Sequence, residues 1–321
     1  MIDKPFLMGE SKSKVNPVNS ISKERVVQPK EVKNELKNDK RKEEDRVEIS
    51  EESRKKALEK KLEHKEEKKT KILVWINTYN RPNTLRRLLS DIVKSKENFV
   101  IKILIFDDAS ICERDYKWMI NCFRDKLDIA YHKLFRNFGK KNYWKLCNLA
   151  MEKIKNLEEY DYYVKLDDDL RLCDRFFYRC IKLWNKIGDE KKICLNFRLD
   201  DRCEGPVWTG VKPKIVNYGG TYFYKSQWVD MDFFVKKDFF DALYYRISDI
   251  HPSRWRKNKN NSSGVGRDIS LRLNLRGYSL YLTTESLVFH CHEQSVMNSE
   301  ERKINPLSTR NFITPKSRYG L

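Results

Sequence analysis

The pattern of apolar and polar positions changes at Lys71 in this chain of 321 residues. Before that point, scattered apolar residues stand among many charged ones, and such a composition cannot supply a hydrophobic core. We predict that residues 1–70 form a charged flexible arm, in which the Glu, Lys and Arg of residues 41–69 could form an exposed helix. Continuous apolar runs begin after Lys71, so the folded part is predicted to start there.

A continuous apolar run predicts a buried strand over residues 72–76, and largely apolar runs, each with one lysine, predict further buried strands over residues 101–106 and 162–166. Apolar residues at helical spacing predict helices over residues 85–93, 113–125 and 142–156. Asn83 or Thr84 is expected to cap the first helix, and a short strand is predicted near residues 129–132. Strands that alternate with helices indicate an α/β fold, with a mostly parallel twisted sheet flanked by helices.

Polar clusters follow the three long strands, at Asn77–Arg81, Asp107–Ser110 and Asp167–Asp169. Open α/β sheets bind ligands outside the carboxyl ends of their strands, so we expect the clusters to meet in one crevice. The sequence contains neither GxGxxG nor GxxxxGK[ST]. The phosphate cradles of dinucleotide-binding and P-loop proteins are therefore not expected, and a diphosphate held by a metal ion fits better.

The third cluster consists of three adjacent carboxylates, Asp167, Asp168 and Asp169. Adjacent like charges repel, and burying them is costly unless a positive group lies among them. If the alternation of the strand continues, Asp167 and Asp169 face one side and Asp168 the other. Such a pair could hold a hard divalent cation that also binds phosphate oxygens. A solvated acidic turn is the alternative.

Charge and cysteine content narrow the class of protein. The formal net charge is +19, and residues 1–70 carry 20 Lys and Arg against 16 Asp and Glu, which leaves +15 on residues 71–321. This excess indicates anionic partners such as nucleotide phosphates, nucleic acid or an acidic membrane surface. The eight cysteines include no CxxC pair and are expected to be reduced thiols of an intracellular protein. Without a secretory signal or a membrane span, a soluble cytoplasmic protein is expected.

Five motifs stand in one order along the chain: Asn77-Thr-Tyr-Asn-Arg-Pro82, Ile105-Phe-Asp-Asp-Ala-Ser110, Leu166-Asp-Asp-Asp169, Phe233-Phe-Val-Lys-Lys-Asp-Phe-Phe240 and Asp268-Ile-Ser-Leu-Arg-Leu-Asn-Leu-Arg-Gly-Tyr278. Together they resemble the motifs of family 2-type glycosyltransferases with the GT-A fold. The resemblance covers about residues 71–292 and implies a nucleotide-sugar half, residues 71–170, followed by an acceptor half, residues 171–292. Residues 293–321 are predicted to be an extended strap or lid.

The resemblance implies which residues bind the sugar nucleotide. They are Thr78, Tyr79, Arg81, Asp107, Asp108, Lys141, Asp167 and Asp168. Within this set, Asp107 or Asp108 would bind the base and Asp167 the ribose. Lys141 would add to the positive field around the diphosphate, although exposed lysines beside a turn are the commoner case.

A divalent cation is the cofactor that the resemblance implies. Asp169, together with Asp167, would coordinate Mn²⁺ or Mg²⁺ across the diphosphate. His290 and His292 follow a predicted strand at residues 286–289, and as residues i and i+2 of a strand they share a face. One of them would be a further metal ligand. A pair of partly buried histidines bonded to the backbone is the alternative.

An inverting transfer also needs a general base within about 3 Å of the acceptor hydroxyl. The family pattern has an acidic residue just before the late helix, where this chain has Gly266. Asp268 is therefore the first candidate for the base, and Asp232 or Asp230 is the next. The alternative role of Asp268 is a helix N-cap.

The expected reaction is transfer of a sugar from a nucleotide sugar, with a UDP-sugar favoured, to a glycan or lipid-linked saccharide. Two other functions stay open. The first is glycosylation of hydroxymethylated DNA bases, as in some viruses, because the protein is strongly basic; such an enzyme would act in the host cytoplasm. The second is a nucleotide-sugar-binding or nucleic-acid-binding protein without catalysis, because Gly266 replaces the usual base.

Overall fold

The computed structural model describes residues 69–197, 213–229, 231–256 and 263–291. Most of the predicted arm, the predicted strap, Asp230 and His292 lie outside the described residues. The strands are β1 (Lys71–Thr78), β2 (Val100–Asp107), β3 (Asp128–Lys133), β4 (Tyr162–Asp167), β5 (Leu170–Leu172), β6 (Lys192–Asn196), β7 (Lys214–Tyr218), β8 (Thr221–Ser226), β9 (Phe233–Val235), β10 (Ser279–Thr283) and β11 (Val288–His290). The helices are α1 (Pro82–Ser95), α2 (Glu113–Asn121), α3 (Tyr143–Lys155), α4 (Phe176–Lys186), α5 (Lys237–Ala242) and α6 (Val265–Leu275).

Nine of the strands in the described ranges form one sheet, in the order β3-β2-β1-β4-β9-β6-β10-β8-β7. β1 pairs in parallel with β2 and with β4. β2 also pairs in parallel with β3, and β6 pairs in parallel with β10. β9 and β8 run antiparallel to their neighbours, so the other seven strands point the same way. With helices packed on it, this mostly parallel sheet confirms the mixed α/β fold predicted from the sequence.

Both faces of the sheet are covered, which explains why its central strands are largely apolar. In β1, Ile72, Val74 and Ile76 pack with α1, α2 and α4 in one core, whereas Leu73 and Trp75 pack with α3, α5 and α6 in another. Burying one large apolar side chain contributes about 1.5–3 kcal/mol. The strands, and the polar residues at their ends, are therefore held firmly in place.

Helix α1 does not begin with the cap that the sequence predicts. Its N-cap residue is Arg81, whose side chain makes no capping hydrogen bond, and Pro82 stands in the first turn. Proline suits that position because its missing N–H would find no partner there. The Thr84 hydroxyl donates to the Arg81 carbonyl at 3.0 Å. The expected Asn83 or Thr84 cap is therefore wrong, and Arg81 lies in the turn that follows β1.

The other predicted elements differ from the observed ones mainly at their ends. α3 starts and ends within one residue of the predicted range 142–156. α2 ends at Asn121, earlier than predicted, and residues 122–126 continue as turns. No helix in the described part of the chain combines the length and apolar composition that crossing a bilayer demands.

Candidate active site

The ends of β1, β2 and β4 meet at the carboxyl edge of the sheet, where the sequence predicts a crevice. Thr78, at the end of β1, lies opposite Asp107 of β2. Its buried hydroxyl donates to Oδ2 of Asp168 at 2.7 Å, and the N–H of Asp108 donates to its carbonyl at 2.9 Å. One threonine thus connects the three polar clusters.

Arg81 joins the two acidic residues that follow β4. Its Nη1 lies 2.7 Å from Oδ2 of Asp169 and 3.3 Å from Oδ1 of Asp168. Burial and the charge of Asp169 raise the pKa of Asp168 to about 7, although Arg81 opposes the shift. β4 ends at Asp167 and the chain turns immediately into β5. The strand alternation expected over the three aspartates therefore does not continue past Asp167.

A small second sheet holds Asp169 beside His290. β5 and β11 pair in antiparallel fashion, with His290 opposite the residue that follows Asp169. The N–H of Cys291 donates to the Asp169 carbonyl at 2.7 Å. β5 is clamped to α1 in turn, because the Arg171 guanidinium donates to both carboxylate oxygens of Asp91, at 2.6 and 3.0 Å. The position of His290 is thus set by strand pairing.

Asp169 and His290 form an ion pair, with 3.5 Å between Oδ1 and Nδ1. Burial lowers the pKa of His290, but the hydrogen bond and charge of Asp169, with two further carboxylates nearby, raise it to about 9. Burial likewise opposes ionisation of Asp169, yet His290 and Arg81 hold its pKa well below the usual value. At neutral pH the pair is an imidazolium and a carboxylate.

Lys165 is a site residue outside the five sequence motifs. Its side chain is 0% exposed, and Nζ donates to Oδ1 of Asp167 at 2.6 Å and to the Leu166 carbonyl at 3.0 Å. Burial lowers the pKa of Lys165, but the charges of Asp167 and Asp232 outweigh it and raise the pKa. The signal was present in the sequence: a lysine inside an apolar strand, just before three carboxylates.

The two candidate bases differ in their surroundings. Asp232 is 2% exposed and precedes β9, and its Oδ1 accepts the Asp167 N–H at 2.8 Å. Asp268 lies in the first turn of α6, whose N-cap residue is a glycine, so the N-cap role suggested for it is wrong. Its Oδ2 accepts the Ser248 N–H at 3.0 Å and lies 3.6 Å from Nη1 of Arg272. Asp232 is thus the candidate base in direct contact with residues Asp167–Asp169, which we call the acidic turn.

Gly266 stands where two backbone segments approach closely. A Cβ at this position would lie 2.5 Å from the Val229 carbonyl oxygen. The Ser270 hydroxyl completes the contact, since it accepts the Val229 N–H at 2.7 Å and donates to the Gly266 carbonyl at 2.5 Å. A larger residue would force α6 away from this segment. Packing therefore explains why the position carries no acidic residue.

The two aspartates predicted to bind the base are both engaged by the protein. Asp107 is buried, and its Oδ1 accepts from the Ser110 N–H at 2.8 Å and the Ser110 hydroxyl at 2.5 Å. The Tyr131 hydroxyl donates to its Oδ2. Asp108 accepts three hydrogen bonds from residues 137–139. A base that reached either carboxylate would compete with these contacts.

Four of the predicted nucleotide-binding residues are in contact with one another, Thr78, Arg81, Asp108 and Asp168. Asp107 and Asp167 end the two strands beside β1, and their carboxylates bind other groups of the protein. Tyr79 directly follows Thr78 and is half-buried. Lys141 is exposed and lies in a short 3-10 helix, Lys140–Asn142, just before α3. Lys141 is thus the exposed member of the set.

A divalent cation fits part of this arrangement. Within the described residues, no group of three His, Cys, Asp or Glu side chains surrounds a common metal position. Asp169 and His290 nevertheless offer a carboxylate oxygen and an imidazole nitrogen 3.5 Å apart, donors that Mn²⁺ accepts. Metal ions at phosphate sites often take one or two protein ligands and complete their shell with phosphate and water. Ligation by His290 would release its proton.

No model of a known protein family matches the chain, and no curated protein matches its sequence. Among solved structures, it is similar to Staphylococcus aureus TarS 1–349 in complex with UDP-GlcNAc, at 12% identity and TM-score 0.48 over 72% of this chain and 61% of that one. It is also similar to the mannosyltransferase PcManGT from Pyrobaculum calidifontis in complex with GDP-Man and Mn²⁺, at 12% identity and TM-score 0.49 over 72% of this chain and 59% of that one. A longer TarS structure is similar at 13% identity and TM-score 0.46, over 69% of this chain and 36% of that one. The chain thus spans less than two thirds of each of these proteins, and similarity at this level assigns it neither a family nor a substrate.

Proposed function

We propose that the chain is a metal-dependent glycosyltransferase that moves a sugar from a nucleoside diphosphate sugar to an acceptor hydroxyl, with inversion. The observation that carries this proposal is the contact of the acidic turn Asp167–Asp169 with Arg81 and His290, at the carboxyl edge of parallel strands. Nucleotides bind at that edge of α/β sheets. A GT-A fold, with its nucleotide-sugar half over residues 71–170 and its acceptor half over residues 171–292, is part of the same proposal.

The charges of the site suit a reaction in which a diphosphate leaves. The positive groups are Arg81, Lys165 and His290, and the carboxylates among them are Asp167, Asp168, Asp169 and Asp232. Negative charge grows on the leaving nucleoside diphosphate as the glycosidic bond breaks, and fixed positive groups in a poorly hydrated site stabilise it. A Mn²⁺ or Mg²⁺ ion held by Asp169 and His290 would replace the proton of His290 and supply a divalent charge to the phosphate oxygens.

Asp232 is the proposed general base. The Asp167 N–H fixes one of its carboxylate oxygens beside the acidic turn, which would orient the carboxylate toward an acceptor hydroxyl. Asp268 is the second candidate, and its carboxylate contacts the Ser248 N–H and Arg272 instead of the acidic turn. Asp232→Asn should therefore lower kcat by at least about a hundredfold. Asp268→Asn should have a smaller effect, and the reverse order would transfer the assignment to Asp268.

The proposed donor is a UDP-sugar and the proposed acceptor is a glycan or lipid-linked saccharide. One observation favours a second acceptor: residues 71–321 carry a formal charge of +15, as the composition shows. A duplex DNA with hydroxymethylated bases is an acceptor that such a charge would attract. Binding to DNA that weakens steeply between 50 and 200 mM salt would support this alternative, whereas transfer to a saccharide alone would dismiss it.

Release of nucleoside diphosphate from a panel of nucleotide sugars, measured with and without Mn²⁺, tests the proposed function. Asp169→Asn should abolish turnover because it removes a carboxylate bound to both Arg81 and His290. Asp174→Asn is the matched control, since Asp174 is exposed and follows the acidic turn closely. Full activity in both variants would contradict the proposal.

A further inference from the structure

Asp108 holds the turn formed by residues 136–141, here called the basic turn. Its Oδ1 accepts the Phe138 N–H at 2.7 Å, and its Oδ2 accepts the Gly139 N–H at 2.9 Å and Nδ2 of Asn137 at 3.1 Å. Nδ2 of Asn137 also donates to the Asp108 carbonyl at 2.8 Å. Hydrogen bonds from N–H groups to a carboxylate are charge-assisted and roughly twice as strong as neutral ones. We call this set of contacts the Asp108 latch.

The residue at position 139 suits the latch because it is a glycine. Gly139 has φ +58°, a conformation in which other residues are strained. A Cβ there would also stand 3.0 Å from Oδ1 of Asn137, the side chain that completes the latch. A side chain at this position would therefore loosen the turn without changing the carboxylate.

The other end of the basic turn is fixed beside the acidic turn. The turn Lys140–Asn142 leads into α3, whose first residue, Tyr143, is buried. Nδ2 of Asn77 donates to the Tyr143 hydroxyl at 3.0 Å, and Asn77 lies opposite Asp167 in the strand register. Lys140 and Lys141 therefore lie between two fixed points, Asp108 at the end of β2 and the strand pair that leads to the acidic turn.

Asp108 has little capacity left for a nucleobase. It is 5% exposed and already accepts from three donors of the basic turn, whereas a carboxylate has about four acceptor positions in all. A base N–H would find about one acceptor position left, and any further contact would have to displace part of the latch. Lys141, in contrast, is exposed, and it need only be held at the right place to interact with a diphosphate.

We infer that Asp108 is a positioning residue: it holds the basic turn so that Lys141 faces the diphosphate of a bound nucleotide, and it does not contact the base. The identity of the anion rests on the proposed function. The latch itself rests only on the contacts of Asp108 with residues 137–139.

Limited proteolysis tests the latch without any substrate. The trypsin sites of the basic turn are Arg136, Lys140 and Lys141. Asp108→Asn places an amide NH₂ where a carboxylate oxygen accepts backbone N–H groups, so cleavage at these sites should become at least about tenfold faster, as mass spectrometry of the fragments would show. Gly139→Ala should give the same increase. Glu113→Gln, which removes an ion pair with Lys133 outside the latch, should leave the rate unchanged.

Binding of UDP, GDP, CDP and ADP to the same variants tests what the latch does. Asp108→Asn and Gly139→Ala should weaken all four diphosphates by a similar factor, about tenfold, and leave their ranking as in the wild type. A changed ranking in Asp108→Asn alone would overturn the inference, because it would mean that Asp108 reads the base. Unchanged proteolysis in both variants would overturn the latch. A wild type that binds no nucleoside diphosphate would overturn the proposed function and the diphosphate role, and a fast-cleaved Asp108→Asn variant would still support the latch.

Discussion

Lys165→Met should destabilise the protein strongly, because it removes a buried cation from among carboxylates. The side chain of Lys165 is 0% exposed and that of Asp167, its partner at 2.6 Å, is 37% exposed. Removing one member of a fully buried ion pair costs about 3–5 kcal/mol. Water can reach Asp167 and solvate part of its charge, so the expected loss in the free energy of unfolding is smaller, about 2–3 kcal/mol.

Urea unfolding of the wild type and the variant, with linear extrapolation to water, measures this loss. Lys102→Met is the matched control, because the Lys102–Asp128 pair at 3.3 Å lies on the surface and contributes at most about 1 kcal/mol. Asp167→Asn should rescue part of the Lys165→Met defect, and the double-mutant cycle should show a coupling of about 1–2 kcal/mol. A Lys165→Met loss below about 0.5 kcal/mol, or no coupling to Asp167, would refute this account of the charges.

Two further predictions concern stability. Gly266→Ala should lower the free energy of unfolding by about 1–3 kcal/mol, because its Cβ would lie 2.5 Å from the Val229 carbonyl oxygen. Gly188→Ala, whose Cβ would lie at an ordinary 3.6 Å from the Tyr218 ring, should change it by less than about 0.5 kcal/mol, and equal melting-temperature shifts would contradict the packing argument. Burial opposes ionisation of Asp189, but hydrogen bonds led by that from the Tyr281 hydroxyl hold its pKa below the usual value. Since the folded-state pKa is the lower one, Asp189 stabilises the fold above its unfolded-state pKa of about 3.9, and this contribution is lost as pH falls. The difference in unfolding free energy between the wild type and Asp189→Asn should thus be full at pH 7 and shrink below about pH 4, and a constant difference would argue against this role.

The long strands and the helices between them could be predicted because each long strand is buried on both faces. Such strands need a largely apolar run, and the runs at residues 72–76, 101–106 and 162–166 lie within β1, β2 and β4. β5 could not be found in this way, because it has three residues and is defined by its pairing with β11. β11 overlaps the strand predicted at residues 286–289, but it starts later and includes His290.

The convergence of polar residues at the carboxyl edge followed from the fold class, but the partners of each carboxylate did not. An aspartate that binds the protein and one that binds a ligand look alike after a strand. Asp108 is held by residues 137–139, and Asp107 by Ser110 and Tyr131, through contacts that only the folded chain brings together. Lys165 was the opposite case, since its burial could have been inferred from the apolar residues around it.

The measurement that tests the central claim most directly is a thermal-shift titration of UDP and UDP-sugars with and without Mn²⁺. A ligand that binds the folded state at a hundred times its Kd stabilises it by about 2.7 kcal/mol. We predict a shift that requires Mn²⁺ in the wild type, persists in Asp174→Asn and disappears in both Asp169→Asn and His290→Ala. A shift of equal size in all four proteins, or none with any nucleoside diphosphate, would contradict the claim that the acidic turn and His290 bind the diphosphate.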